Sequence, residues 1–296
     1  MLLGLPEFEL FSADSVEEAC TLLATHGAQA TVFAGGTDLF VKMKHRRTVP
    51  ARLINIKGIP NLSRIVHDER DGLRIGALTL IQTIDASSVI GKKFPALQQA
   101  AKVLGTSQIR NVGTIGGNLA NASPSAEFAP PLLTLGASVR CAGRGGERLI
   151  AMEDLIVSPG KTSLRPDELL TEVLVPNPLP GAQGIYLKHS LRKMDVAIAS
   201  AAVLLVFEGD VCREVKIALG AVGPIPFRAE KAEACMRGQR LGADAAEGEM
   251  LEAVARTAAD ESFPIDDLRG YAAYRRKLVR MLVGKGLERL IARTRA

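Results

Sequence analysis

The stretch VGTIGGNLANASP, residues 112–124, places two adjacent glycines inside an apolar, β-branched frame. Small polar side chains follow at once, at Asn118, Asn121 and Ser123. Glycine has no side chain to block a close approach, and short polar side chains add little to an apolar core. The segment therefore predicts a loop that contacts a ligand rather than one that packs.

A second stretch, AGGTDL at residues 34–39, has the same design. In both stretches a glycine pair ends an apolar segment and is flanked by threonine and by a short polar residue, Asp38 or Asn118. Successive backbone N–H groups in such loops can converge on an anion, and threonine hydroxyls add donors. Either loop alone could be an ordinary tight turn. Two loops of matching chemistry, about eighty residues apart, predict the two sides of a clamp around a pyrophosphate.

Other phosphate-binding motifs are missing from the sequence. No G-x-G-x-x-G follows a strand near the start, and no G-x-x-x-x-G-K-[ST] occurs, which excludes the Rossmann and P-loop modes. The glycines of CAGRGGERLI (141–150) favour a hairpin turn over a phosphate loop, because no helix is predicted after them.

Composition excludes several classes of protein. The 296 residues carry a net charge of +5, spread along the chain, with no Trp and three Tyr, so a nucleic-acid surface is not expected. The cysteines lack any CxxC spacing and the histidines are scattered, which predicts neither a zinc nor an iron–sulfur site. No apolar segment reaches membrane-spanning length, and the start lacks a signal-peptide pattern. We therefore expect a soluble, cytoplasmic protein.

Local patterns predict alternating strands and helices in the first half of the chain. Residues 15–27 predict a helix that begins with a Ser15–Glu18 capping box and ends at Gly27, and residues 94–105 predict another. ATVFA, RLINI and LRIGA predict short strands.

The proline-rich PNPLPG (176–181) predicts a linker. Beyond it, GIYLKHSLR, SAAVLLVFEGD and CREVKIALG predict three strands, followed by helices packed on that sheet. In the last helix, Leu278, Met281 and Leu282 predict a stripe that faces the core.

Taken together, five motifs show a resemblance to the FAD-binding (medium) subunit of the molybdenum hydroxylases, the family of carbon monoxide dehydrogenase and xanthine dehydrogenase. They are FAGGTDL, INIKGIPNL, LRIGALTL, SQIRNVGTIGGNLANASPSAEFAPPLLTLGA and YLKHSLRKMDVAIASAA. The long central block is the most specific, and the resemblance covers essentially the whole chain.

The resemblance implies an α+β fold. A two-lobed FAD-binding domain of the PCMH/VAO type would span residues 1–177, and a three-stranded antiparallel sheet with helices would span residues 182–296. No cysteine-bearing insertion for an additional iron–sulfur cluster is present, and no His stands beside the first glycine loop. The FAD is therefore expected to be non-covalent.

The resemblance also implies cofactor-binding residues. The first loop would wrap the pyrophosphate with Val32, Phe33, Ala34, Gly35, Gly36, Thr37, Asp38 and Leu39. The second loop would close on it with Thr114, Ile115, Gly116, Gly117 and Asn118. Five further positions would lie near the ribityl chain, the flavin or the adenine: Ile75, Glu127, Leu170, Lys188 and Asp195.

Structural alternatives exist for several of these positions. The threonines could cap helices, Glu127 could be an exposed helix start, Lys188 could be a solvated strand residue, and Asp195 could simply begin a strand. Arg192 and Lys193 are expected to be solvated or to face a partner. No catalytic acid, base, nucleophile or metal ligand is predicted.

The expected function is electron transfer within a multi-subunit molybdenum hydroxylase. Electrons would pass from [2Fe–2S] clusters on a small partner subunit through the FAD to NAD⁺, a quinone or another acceptor. Molybdopterin would lie on a large partner subunit, in a heterotrimer or a dimer of heterotrimers. One alternative is a free-standing FAD oxidoreductase acting on a small alcohol or sugar, and another is a flavin-binding module without turnover.

Overall fold

The computed structural model describes residues 4–242 and 245–295. The strands are β1 (Glu9–Ser12), β2 (Ala30–Phe33), β3 (Arg52–Asn55), β4 (Ile65–Asp68), β5 (Gly72–Gly76), β6 (Ser138–Gly143), β7 (Gly146–Ala151), β8 (Ile156–Ser158), β9 (Lys161–Thr162), β10 (Leu169–Val175), β11 (Gln183–His189), β12 (Ala199–Glu208), β13 (Val211–Gly220) and β14 (Phe227–Arg228). The helices are α1 (Val16–His26), α2 (Leu39–Lys44), α3 (Ile81–Ala86), α4 (Ser88–Lys93), α5 (Pro95–Val103), α6 (Ser107–Arg110), α7 (Ile115–Ala120), α8 (Ala129–Thr134), α9 (Met152–Leu155), α10 (Glu230–Met236), α11 (Ala245–Asp260) and α12 (Ala272–Thr294), with a 3₁₀ turn at Gly27–Gln29.

The first lobe is a small parallel sheet in the order β1-β3-β2, with α1 packed on it. The start of α1 confirms the predicted cap, because the backbone N–H of Glu18 donates to Ser15 Oγ at 3.1 Å. The Glu18 carboxylate accepts from the N–H of Asp14 at 2.8 Å, one residue before the N-cap. Gly27 ends the helix with φ +51°, a conformation that favours glycine.

The second lobe is an antiparallel sheet in the order β4-β5-β10-β6-β7. Its β6–β7 pair is the hairpin predicted at CAGRGGERLI, since Gly143 pairs with Gly146 across a two-residue turn. One large apolar core joins this sheet to α5, α7 and α8. The segment predicted as a glycine loop, TIGGN, forms the first turn of α7.

The C-terminal sheet has the order β11-β12-β13-β14 and is antiparallel. Its three long strands were predicted, whereas the two-residue β14 is too short to leave a sequence pattern. Side chains alternate along β12. Ala202, Leu204 and Val206 pack into the core of the second lobe, while Ala201, Val203 and Leu205 pack against the helical layer. Both faces of this sheet are therefore covered, which explains the unbroken apolar run in its sequence.

Helix α12 corrects one prediction about the tail. Leu278 and Leu282 are buried at 5% exposure, but Met281 is 42% exposed and does not face the core. The buried stripe instead continues through Val279, Val283 and Leu287. The prediction was wrong at Met281 because that residue lies at the edge of the buried stripe, whose members include the next two residues, Leu282 and Val283.

The proline-rich segment after β10 contains neither a helix nor a strand. Its Asn177 donates through Nδ2 to the carbonyls of Asp68 and Glu69, at 3.0 and 2.9 Å. These bonds fix the segment to the β4–β5 hairpin. The domain boundary there stays a prediction. Within residues 4–242 and 245–295, no helix is long and apolar enough to cross a membrane.

Arg275, at the start of α12, anchors the segment that precedes the helix. Its guanidinium is 3% exposed and donates to the carbonyls of Ile198 and Ala221 at 3.2 and 3.0 Å, and to Asp267 Oδ1 at 2.5 Å. Although burial opposes ionisation of Asp267, hydrogen bonds from the Arg269 N–H and from Arg275 lower its pKa to about 2.

We expect this carboxylate to stabilise the fold above about pH 4. Because its folded pKa lies below its unfolded value, the contribution, about 1–2 kcal/mol after solvent screening, is lost as pH falls from 4 to 2. Urea unfolding at pH 6, 4 and 2.5 measures it. Asp267→Asn should be less stable at pH 6 and should lack this part of the acid dependence. Parallel stability–pH curves for the two proteins would contradict the assignment.

Candidate functional site

The two glycine loops lie on either side of a cavity of about 500 Å³ between the lobes. This volume falls within the range of small-molecule and cofactor sites, about 300–1,000 Å³. Of the predicted residues, the cavity is lined by Val32, Ala34, Gly35, Gly36, Thr37, Asp38, Leu39, Thr114, Gly116, Gly117, Asn118, Glu127 and Leu170.

Five predicted residues do not line the cavity. Ile75 and Ile115 are fully buried in the core of the second lobe. The ring of Phe33 packs on Phe40, with centroids 5.0 Å apart. Lys188 lies in the junction with the C-terminal sheet, and Asp195 lies in the loop after β11, whose Met194 and Val196 form part of the cavity wall.

The backbones of the two loops are in direct contact. A Cβ atom at Gly35 would lie 2.3 Å from the carbonyl oxygen of Val112 and 3.0 Å from the Cα of Gly113. No side chain fits at such distances, so glycine is required there for close approach. Gly36 has a different requirement, a φ of +71° that side-chain-bearing residues rarely adopt.

The amides of the first loop are available to a ligand. Within the described part of the chain, the N–H groups of residues 35–39 have no hydrogen-bond acceptor, and all five residues line the cavity. These residues are half-buried or exposed, so their N–H groups are open to water or to a ligand, and several such donors along one cavity wall suit an acceptor-rich ligand.

The amides of the second loop are already used. Ile115 N–H donates to the Thr79 carbonyl at 3.1 Å, and Gly116 N–H donates to the Ala77 carbonyl at 2.9 Å. Gly117 N–H donates to Thr114 Oγ1 at 3.0 Å, which makes Thr114 the N-cap of α7. Thr114 therefore caps a helix, which is the structural alternative considered for it. This loop can offer a ligand its side chains rather than a set of free backbone N–H groups.

Two asparagines are the polar side chains that the second loop presents. Asn118 Oδ1 is buried and has no partner within the described residues, and Asn118 lines the cavity. Such an acceptor requires a donor from water or from a ligand. Asn121, whose role was not predicted, accepts from Lys42 Nζ at 2.5 Å and donates to Asp38 Oδ1 at 3.1 Å. This bridge ties α2 to the end of α7.

A buried ion pair joins the cavity wall to the C-terminal sheet. Lys188 Nζ lies 3.4 Å from Glu127 Oε1 and donates to the carbonyls of Val103 and Asp195, at 2.7 and 3.0 Å. The two side chains are 3% and 10% exposed, so neither solvated alternative applies. Burial raises the pKa of Glu127, and the nearby Lys188 charge only partly opposes this.

Much of the remaining cavity wall is apolar, although Thr31, Lys42, Asn121, Ser123, Ser125 and Glu168 also line it. Leu78, Leu104, Ile109, Leu164 and Leu169 line it, and sequence patterns gave no reason to separate them from core residues. One part of the cavity therefore suits anionic groups and another suits a flat apolar ring. Burial raises the pKa of the Asp38 carboxyl in the polar part, against the charge of Lys42. Among the described residues, no cluster of three or more metal-ligating side chains occurs.

We expect Lys188→Met to leave Glu127 as an unpaired buried carboxyl, at a loss of about 3–5 kcal/mol of unfolding free energy near pH 8. Because the pKa of Glu127 is already raised in the fold, the loss should shrink towards pH 5 as the carboxyl protonates. Urea unfolding at both pH values measures this. The Glu127→Gln/Lys188→Met variant should lose that pH dependence. An equal deficit at pH 5 and pH 8 would show that Glu127 is not the cause.

The sequence of this chain is similar to known protein families and to characterised proteins. Residues 6–178 match the family model of the FAD binding domain in molybdopterin dehydrogenase, and residues 185–290 match that of the CO dehydrogenase flavoprotein C-terminal domain. The chain is 34% identical to the 6-hydroxypseudooxynicotine dehydrogenase complex subunit alpha of Paenarthrobacter nicotinovorans, over 98% of this chain and 96% of that protein. It is 32% identical to the carbon monoxide dehydrogenase medium chain of Afipia carboxidovorans, over 97% and 98%.

The fold is also similar to that of a solved structure. A chain of the carbon monoxide dehydrogenase from Hydrogenophaga pseudoflava that lacks the Mo-pyranopterin moiety superposes with a TM-score of 0.93 at 32% identity, covering 98% of this chain and 99% of that one. These matches confirm the predicted family, fold class, cofactor and oxidoreductase assignment. The chain belongs to the family of FAD-binding medium subunits of molybdenum-containing dehydrogenases.

Proposed function

We propose that the chain holds FAD non-covalently in the cavity and transfers electrons within a multi-subunit molybdenum hydroxylase. The observation that carries this proposal is a run of five amides, residues 35–39, that have no acceptor among the described residues and lie at the wall of a cavity closed by a second glycine loop. Family membership supports the identity of the cofactor.

The residues that line the cavity fit both the charged pyrophosphate and the flat apolar ring of FAD. The free N–H groups of the first loop suit the pyrophosphate oxygens, and the glycines leave room for close approach. The buried Asn118 Oδ1 needs a donor, which the hydroxyl or N–H groups of the cofactor can supply. Leu78, Leu104 and Leu170 offer the apolar wall that a flat ring requires.

When bound, FAD supplies the change from one-electron to two-electron transfer. The part of this chain is to bind and orient it. The first loop neutralises phosphate charge with dipoles, the apolar wall excludes water, and the Glu127–Lys188 pair places fixed charges beside the cavity. Met194 and Val196 from the C-terminal region close one side of the cavity.

Partner subunits complete the proposed electron path. Similar proteins are named as subunits or medium chains of complexes, which supports an assembly of several chains. We place molybdopterin on a large partner and [2Fe–2S] clusters on a small partner, in a cytoplasmic heterotrimer or a dimer of heterotrimers. A bound FAD would supply the redox centre from which electrons reach NAD⁺, a quinone or another acceptor.

Purification of the tagged chain from its native host tests this function. We expect flavin absorbance bands at about one FAD per chain, with molybdenum and iron copurifying. Flavin alone, with turnover of a small alcohol or sugar by the isolated chain, would favour a free-standing oxidoreductase. A chain that stays without flavin after incubation with FAD would overturn the proposal.

Gly35→Ala tests whether loop contact is required for binding. The new Cβ would meet the Val112 carbonyl, so the loops must separate, and we expect a loss of about 1–3 kcal/mol in stability. The FAD content per folded chain should fall at least tenfold, measured by absorbance and near-ultraviolet circular dichroism. Gly145→Ala is the matched control, since a Cβ there meets nothing within 4 Å. Full FAD retention by Gly35→Ala would contradict the assignment.

A further inference from the structure

Eight large apolar side chains are exposed at one end of the C-terminal sheet. We call them the rim patch; they are Leu191, Met194, Val196, Phe263, Ile265, Leu268, Tyr271 and Tyr274. Their exposed fractions run from 44% for Tyr274 to full exposure for Leu268. The first three lie in the loop between β11 and β12, and the other five lie in the segment that leads into α12 and in its first turn.

Contacts with the sheet place both segments of the rim patch at the same end. Tyr274 Oη lies 3.2 Å from His189 Nε2, at the end of β11. Phe263 N–H donates to the Val222 carbonyl at 2.8 Å, just beyond the end of β13. A Cβ at Gly270 would lie 3.8 Å from the Ile198 side chain, just before β12. All these anchors belong to the same end of the sheet.

The rim patch is held in place by a polar framework. Arg275 fixes the second segment to Ile198, Ala221 and Asp267, and the N–H of Ala272 donates to Asp266 Oδ1 at 2.5 Å. These hydrogen bonds fix the backbone of the segment while its apolar side chains remain exposed to solvent. A cluster of exposed large apolar side chains with polar residues around it is typical of an interaction site.

Exposed cations near the rim patch indicate the charge of a complementary partner. Arg192, Lys193 and Lys277 are exposed and form no ion pair within the described residues. The carboxylates of Asp266 and Asp267 are engaged in a helix cap and in arginine pairs. A partner with an apolar centre and carboxylates at its edge is complementary to this surface.

The same charges disfavour a second copy of this chain as the occupant. A second copy of this chain would bring its own cations against these cations, which is repulsive. A different protein with carboxylates at its edge does not meet this repulsion.

The rim patch is continuous with the proposed FAD cavity, because Met194 and Val196 belong to both. We propose that it docks an electron-donating protein partner with an acidic edge, which covers the cavity mouth. This inference rests on the proposed function and assigns the docking surface for the partner.

Hydrogen–deuterium exchange on the native complex and on the isolated chain tests the docking surface. In the complex, we expect exchange in peptides covering residues 190–197 and 263–277 to slow at least tenfold. Peptides around Leu10 and Leu149, which are 55% and 59% exposed elsewhere, serve as internal controls and should not change. A flavin-containing complex whose rim patch exchanges as in the isolated chain would overturn the inference and leave the proposed function standing. A chain without flavin or partners would overturn both.

Leu268→Asp gives an independent test in the tagged native complex. We expect at least a tenfold loss of the copurifying iron-containing partner, with unchanged FAD per chain, and Leu149→Asp should retain the partner. Lys193→Glu/Lys277→Glu should weaken the same association. Normal retention of the partner by Leu268→Asp would overturn the inference. Concentration-dependent self-association through the rim patch, or its binding to vesicles of anionic phospholipid, would do the same.

Discussion

The direct backbone contact between Gly35 and the Val112–Gly113 segment is the constraint on which the site depends. It joins the parallel first lobe to the antiparallel second lobe at a point where no side chain fits. Because the two segments touch there, the first loop lies along the cavity with its amides unpaired. In the second loop, the N–H groups already donate hydrogen bonds to Ala77, Thr79 and Thr114. The second loop therefore supports the first, whose amides remain available to a ligand.

The C-terminal sheet extends this arrangement. Since both faces of β12 are buried, one against the second lobe and one against helices, the sheet has little freedom to move relative to the cavity. This placement carries Lys188 into the junction, where its ammonium contacts Val103, Glu127 and Asp195 from three separate parts of the chain. A buried ammonium is tolerated only when it is so fully paired. Lys188 therefore orders the cavity wall without lining the cavity.

Short-range sequence patterns made much of the fold and both glycine loops of the candidate site predictable. The capping box at Ser15, the glycines of both loops and the apolar run of β12 each act within a few residues, so the sequence displays them directly. Long-range acceptors could not be foreseen. Nothing in TIGGN shows that its amides bond to Ala77 and Thr79, and nothing near Glu127 shows that Lys188 will meet it. Residues such as Leu104 became wall residues only through packing, because an apolar side chain has the same pattern in a core and beside a cavity.

The charges around the cavity explain why it suits a retained cofactor. Asp38, Glu127 and Lys42 lie in its wall. Lys188 is buried in a pair with Glu127, whereas the ammonium of Lys42 donates to the neutral Asn121 Oδ1. Under the proposed function, the fixed N–H dipoles of the first loop hold the diphosphate beside Lys42, and these dipoles do not change with a reaction. Within the described residues, Arg192, Lys193 and Lys277 are exposed cations without an ion pair. If both proposals hold, backbone dipoles serve the cofactor inside the cavity, and surface charge serves association outside it, where salt modulates the attraction.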